Sequence, residues 1–222
     1  MSNKQSLVDK AYGEIRNKII IGEYAPGKKI TTQSLSDSLK MSRTPVVAAV
    51  NRLIAEGLVE AIPRCGVIVT GLSPKKIYEA TEMRLMIELY CVEVAIKNID
   101  VYPEIVAELG AIADEFQKMD FFDPAKAAKM EQRFHMLYVQ MSGNERLTST
   151  YKCNLNIDMI FYLYALADVD VMDIIASYRE TKDIYEALIS RDPKRLEMII
   201  RKHLATVFAT LDQYSKKCSE SN

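Results

Sequence analysis

Two histidines, His135 and His203, are all that this chain of 222 residues contains, and both fall on helix faces that should be apolar. Projected at about 100° per residue, Glu131 and His135 share a face with Ala127, Phe134 and Tyr138. His203 lies between Leu196, Ile199, Ile200 and Val207. A carboxylate and an imidazole one helical turn apart can hold a single ion, and His203 can supply a third ligand from across a bundle. Arg84 and Glu88 repeat the anomaly, in line with Ile77, Ala80, Cys91 and Ala95. Buried polar groups need partners, and two readings follow. In one, each group is satisfied pairwise, Arg84 by Glu88 and each histidine by a carboxylate or carbonyl. In the other, one central cavity holds a metal, an acidic ligand, or both.

Catalysis is not expected. Carboxylate-bridged di-metal bundles need paired Glu-x-x-His motifs, whereas Glu-x-x-x-His occurs once here, and no nucleophile–base pair has recognisable spacing. The 11 methionines include Met83, Met86, Met130, Met136 and Met198. These side chains either let a pocket adapt to its ligand or fill an ordinary core.

The elements that must position these groups are mostly helical. The apolar fraction of 49% and charged fraction of 27% are ordinary for a globular protein. No apolar run approaches the roughly 18 residues that span a bilayer. Met1 to Gln5 lead into no apolar signal core, and the four cysteines form no Cys-x-x-Cys pair. A cytoplasmic protein with free thiols and no membrane partner is the expectation. Up to Ser73 there are 10 Lys+Arg against 6 Asp+Glu, and beyond it 19 against 24. A basic first third joined to an acidic remainder suggests two jobs.

Helices are expected over 7–21, from Thr31 or Thr32 to Leu39, and from a Ser42 cap to about Glu56. A β-hairpin follows, with Pro63-Arg64-Cys65-Gly66 at its tip. Three helices and a small hairpin make a winged helix-turn-helix. The third helix turns Val46, Val50 and Leu53 inward and Thr44, Ala48, Asn51, Arg52 and Ala55 outward. That small-sided, hydrogen-bonding face suits a DNA major groove about 12 Å wide. Arg43 reaches a guanine edge or a phosphate, and Arg64 at the hairpin tip touches the DNA backbone or minor groove. From Pro74 onward an all-α antiparallel bundle is expected, with helices near 74–99, 103–119, 124–142, 145–168, 171–190 and 193–214. The domains are then 1–72 for DNA binding, 73–216 for effector binding and dimerisation, and a frayed tail at 217–222.

Five motifs in order resemble the GntR family of bacterial transcription regulators. They are Gly22-x-x-x-Pro26-Gly27-x-x-Ile30, Leu35-Ser36-Asp37-x-Leu39, Ser42-Arg43-Thr44-Pro45-Val46, Leu53-x-x-x-Gly57-Leu58-Val59 and Arg64-x-Gly66-x-x-Val69. Scattered motifs further on resemble the FCD ligand-binding domain of the FadR-like subfamily: Glu82-x-Arg84-x-x-x-Glu88, Phe134-His135, Ser142-Gly143-Asn144 and His203-Leu204. The resemblance implies a homodimer on a pseudo-palindromic double-stranded operator. It implies DNA contacts from Thr32, Gln33, Ser42, Arg43, Thr44, Ala48, Asn51, Arg52, Arg64 and Gly66, and a small effector met by Arg84, Glu88, Tyr138 and Thr181. Metal-binding members use an aspartate and three histidines; here Glu131 stands for the aspartate, His135 and His203 match, and the remaining histidine falls on Thr181. The resemblance implies Zn, Mn or Ni there, with Arg84 as the charge-assisted partner of an effector carboxylate. Val47 stands where the family usually has an arginine. The reading that results is a regulator whose operator binding responds to a carboxylate-containing effector. The alternative is a dimeric regulator with a purely structural bundle.

Overall fold

The structure, a computed structural model, describes residues 6–20, 22–63, 65–70, 74–119, 123–165 and 171–220. It leaves undescribed the side chains at 20, 74, 124–125, 156–165, 171–174 and 213–220. The chain divides into two units, Met1–Leu72 and Ser73–Asn222.

In the first unit, α1 (Leu7–Ile20) packs on α3 (Arg43–Ala55), with α2 (Thr32–Leu39) against both. Their spacing places Ala11, Ile15, Ile19, Leu35, Val46, Val50 and Leu53 in one buried core. Thr31 caps α2 by accepting from the Ser34 N–H at 3.0 Å. The tight connection to α3 is a Schellman turn: Lys40 N–H meets the Asp37 carbonyl and Met41 N–H the Ser36 carbonyl, with Lys40 left-handed at φ 52°. The wing carries one strand more than the hairpin expected. Strand β1 (Lys29–Ile30) pairs antiparallel with β3 (Gly66–Val69), whose other edge pairs with β2 (Val59–Ile62). Two residues are too few for strand alternation to register in the sequence.

The second unit is a helical bundle. It contains α4 (Pro74–Lys97), α5 (Pro103–Gln117), α6 (Pro124–Gln140), α7 (Glu145–Ala165), α8 (Val171–Arg179), α9 (Thr181–Ile189) and α10 (Pro193–Glu220). Helix α4 is the hub and packs against α6, α7, α9 and α10. The starts follow local chemistry. Asp123, Asn144 and Asp192 each accept a backbone N–H three residues on, at the heads of α6, α7 and α10. Two expectations need correcting. The helix expected over 171–190 is two, because Glu180 N–H bonds the Ser177 carbonyl and tightens the turn. The tail expected to fray from 217 continues α10 to Glu220. The end of the helix expected over 145–168 lies partly outside the described residues. No helix among the described residues is long and apolar enough to cross a membrane.

A left-handed Lys40 carries Cβ strain that glycine would not. Lys40→Gly should stabilise the first unit by about 0.5–1 kcal/mol, measured by urea denaturation. A lower midpoint would show that the turn tolerates lysine without strain.

Candidate functional site

The exposed face of α3 carries Ser42, Arg43, Thr44, Val47, Ala48, Asn51 and Ala55, while Pro45, Val46, Ala49, Val50 and Leu53 are buried behind it. Arg43 is held in place. Its Nε donates to Gln33 Oε1 at 2.8 Å and its Nη2 to the same oxygen. Gln33 Nε2 in turn donates to Asp37 Oδ1 at 2.7 Å, which fixes the amide's orientation. Ser42 begins the helix in an extended conformation without the side-chain capping bond expected of it. Thr32 is half-buried in the first turn of α2.

Arg52 departs from its expected place on the reading face. Its Nη1 lies 3.2 Å from Asp9 Oδ1 and its Nε 3.3 Å from Glu56 Oε1, and its guanidinium stacks 3.8 Å above the Tyr12 ring. Tyr12 O–H closes the clasp on Glu56 Oε2 at 2.5 Å. Burial, with Glu56 alongside, pushes the Tyr12 phenol up to about 12. Arg52 therefore fastens α1 to α3. Gly66 also has a packing reason for its identity: at φ 109° a Cβ there would lie 2.4 Å from the Ile30 carbonyl oxygen, so β1 could not approach. Arg64 lies outside the described residues.

In the second unit the groups expected to be polar and buried converge. Arg84, Glu88, Glu131, His135, Thr181 and His203 are all nearly fully buried. From α4, Arg84 Nε donates to Glu88 Oε1 at 2.8 Å, and its Nη2 donates to Glu131 Oε1 of α6 at 3.2 Å. The two imidazole rings stack 5.1 Å apart, with 17° between their planes. Each has a carboxylate behind it: His135 Nδ1 lies 3.1 Å from Glu88 Oε2 and His203 Nδ1 3.2 Å from Glu180 Oε2. Each turns Nε2 toward Glu131 Oε1, at 2.9 Å and 3.1 Å respectively.

These atoms fit a metal. One ligand atom from each of Glu131, His135 and His203 lies within 4.8 Å of the others. His135 Nε2 and Glu131 Oε2 are buried without a hydrogen-bond partner, so the short His135–Glu131 approach is not hydrogen-bond aligned. Carboxylate-backed imidazoles are the usual arrangement around a bound ion, since the carboxylate fixes the tautomer that leaves Nε2 free to ligate.

The effector residues are more committed than expected. Tyr138 O–H donates to the Glu88 carbonyl at 3.1 Å and Thr181 Oγ1 to the Tyr178 carbonyl at 2.7 Å, so neither hydroxyl proton is on offer. Arg84 already has two carboxylates, and an effector anion would compete with them. Met83, Met86 and Met198 are exposed and Met130 and Met136 half-buried, so these five are not the core filler expected and do not surround the buried cluster as an adaptable lining. Sequence reasoning missed Glu180, which backs His203, and Tyr151, whose O–H donates to Glu88 Oε1.

Burial works against the charge on His203, but hydrogen bonds to Glu131 and Glu180 outweigh it and raise the imidazole to about 9. Burial likewise works against the charge on Glu88, yet His135, Arg84 and the Tyr151 hydroxyl hold its carboxyl at about 2. The folded bundle thus binds the His203 proton more tightly than the unfolded chain does. That contribution is complete below about 6.5 and lost as pH rises through 9. The Glu88 contribution is complete above 4.5 and lost as pH falls toward 2. Denaturation followed across pH should show both losses. In His203→Gln the slope between about 6.5 and 9 should flatten, and an unchanged slope there would remove His203 as its cause.

Residues 7–69 match the family described as bacterial regulatory proteins, gntR family, and residues 79–206 match the FCD domain. An HTH-type transcriptional regulator from an unstable DNA locus of Streptomyces ambofaciens is 26% identical over 203 residues, 91% of this chain and 84% of that relative. The solved structure of E. coli McbR/YncC has the same fold, with a TM-score of 0.78 at 20% identity over 94% of this chain and 98% of that one. A structure titled as the metal-free FCD domain of a transcriptional regulator is 27% identical, with a TM-score of 0.52 over 64% of this chain and 94% of its own. The winged unit and the bundle together make this chain a member of the GntR family of bacterial transcription regulators, with an FCD domain as its second unit.

Proposed function

We propose that the protein binds operator DNA through α3 and that a ligand in the buried cluster of the FCD domain modulates this binding. The observation that carries the DNA reading is the exposed face of α3, where a held Arg43 precedes Thr44, Ala48 and Asn51 on a small-sided helix. Arg43 reads a guanine edge, Asn51 an adenine edge or a phosphate, and Ser42, Thr32 and Gln33 border the phosphate backbone. Gly66 belongs to the wing that approaches the neighbouring groove, and Arg64, two residues earlier in the sequence, would meet the DNA backbone or minor groove. A homodimer on a two-fold operator follows from the family. It is supported by an exposed apolar stripe on α4, where Met86 is 62% and Tyr90 66% exposed and Met83 lies one turn before Met86.

Glu131, His135 and His203 would hold one divalent first-row metal, Zn, Mn or Ni. Bound there, it would supply a fixed positive charge and open coordination positions. A small carboxylate-containing effector would then sit where the metal and the neighbouring Arg84 offset its charge, bordered by Glu88, Tyr138 and Thr181. Coupling to DNA requires the effector to bind two arrangements of the dimer with different affinity. A soluble protein acting on DNA in the cytoplasm completes this reading.

Fluorescence anisotropy against duplexes from the region upstream of its own gene tests the first half. Arg43→Ala should weaken binding by about 1–3 kcal/mol, and binding should fall steeply with salt. An unaltered affinity in that variant would remove α3 as the reading element. For the second half, titration calorimetry with Zn, Mn and Ni should show one site per chain. The site should weaken at least about tenfold in His135→Ala and tighten as pH rises toward 9, because His203 must release its proton. No heat with any of the three ions would sink the metal assignment.

A further inference from the structure

Val47 has no structural reason to be where it is. It is 41% exposed, and among the described residues of α3 it is the one large hydrophobic side chain in the open. Its neighbours Pro45, Val46, Ala49 and Val50 are buried and build the core without it. A β-branched residue at an exposed helix position also forgoes helix propensity relative to alanine or a straight-chain residue. One turn before it stands Thr44 and one turn after it Asn51, with Ala48 beside it, all exposed. The middle of the α3 face is therefore a strip of methyl groups, bounded by the Arg43 guanidinium at one end and the Asn51 amide at the other.

In the major groove the apolar group on the base edges is the thymine 5-methyl. A valine in a helix holds a single strongly preferred rotamer, so its two methyls are presented without loss of side-chain freedom. It has no donor for guanine N7 or O6, and it would leave those acceptors desolvated and unpaired. From this we infer that Val47 is a specificity-determining residue, selecting a thymine in each half-site through its 5-methyl. The inference rests on the proposal that α3 enters the major groove.

Selection from a random duplex library with the full-length protein gives the preferred site. Each thymine in that duplex is then replaced singly by deoxyuridine, which removes the methyl and keeps the hydrogen-bonding edge. Wild type should lose roughly three- to fivefold in affinity at one thymine per half-site, the weight of one buried methyl. Val47→Ala, checked for folding by circular dichroism, should be insensitive to that replacement, and Val47→Arg should reselect guanine there. Tolerance of deoxyuridine at every position by wild type, or an equal penalty in Val47→Ala, would overturn the inference. Arg43→Ala separates the two failures. If it weakens binding while the deoxyuridine penalty ignores residue 47, only the role of Val47 falls. If it changes nothing, the groove assignment of α3 falls first.

Discussion

Charge buried in the protein interior governs the FCD unit. Moving an ion into a protein interior costs several kcal/mol even after relaxation, and here Arg84, Glu88, Glu131 and His203 are all taken inside. Each is tolerable only because another stands within hydrogen-bond reach, and the partners come from different helices. Arg84 and Glu88 belong to α4, Glu131 and His135 to α6, His203 to α10, and Glu180 to the turn before α9. The apolar faces decide that these helices pack; the charges decide their register. A slip of one helix by a single residue would strand an unpaired charge, whereas a slip in a purely aliphatic core costs only packing.

The same pairing leaves atoms of the cluster over for the proposed ligand. Arg84 and Glu131 offset each other, but Glu131 Oε2 and His135 Nε2 are left over. The Thr181 hydroxyl does not donate into that gap, because it donates to the Tyr178 carbonyl near the end of α8. As the proposed metal site, the cluster would have three protein ligands, with a guanidinium nitrogen 3.4 Å from the His203 Nε2. Both features lower the affinity expected for a cation and raise that for an anion arriving with it.

Much of this was legible in the sequence, and the boundary of legibility is physical. Several helix starts could be read because caps act locally: Thr31, Asp123 and Asp192 each bond within three residues, although Ser42 does not. Glu131 and His135 could be paired because one turn of helix makes them neighbours. Glu180 and Tyr151 could not, because what places them on His203 and Glu88 is the approach of α9 and α7 to the cluster. Arg52 lies at the margin of the outer face in projection, and only the arrival of Asp9 and Tyr12 from α1 turns it inward. Arg84 was rightly placed inside with Glu88 one turn along α4, but its second carboxylate, Glu131, comes from α6 and could not be read from its own helix.

One consequence remains in the first turn of α3. No side chain caps that helix, and Pro45 near its start has no N–H to satisfy. The leading amides of Arg43 and Thr44 have no carbonyl one turn earlier within the helix, and in the proposed complex a phosphate oxygen of the operator would accept from them. On that proposal α3 is an unfinished helix, whose last hydrogen bonds would lie on another molecule. By linkage, whatever DNA gives to that helix in affinity it also gives in stability. A bound operator would make the winged unit harder to unfold as well as occupied.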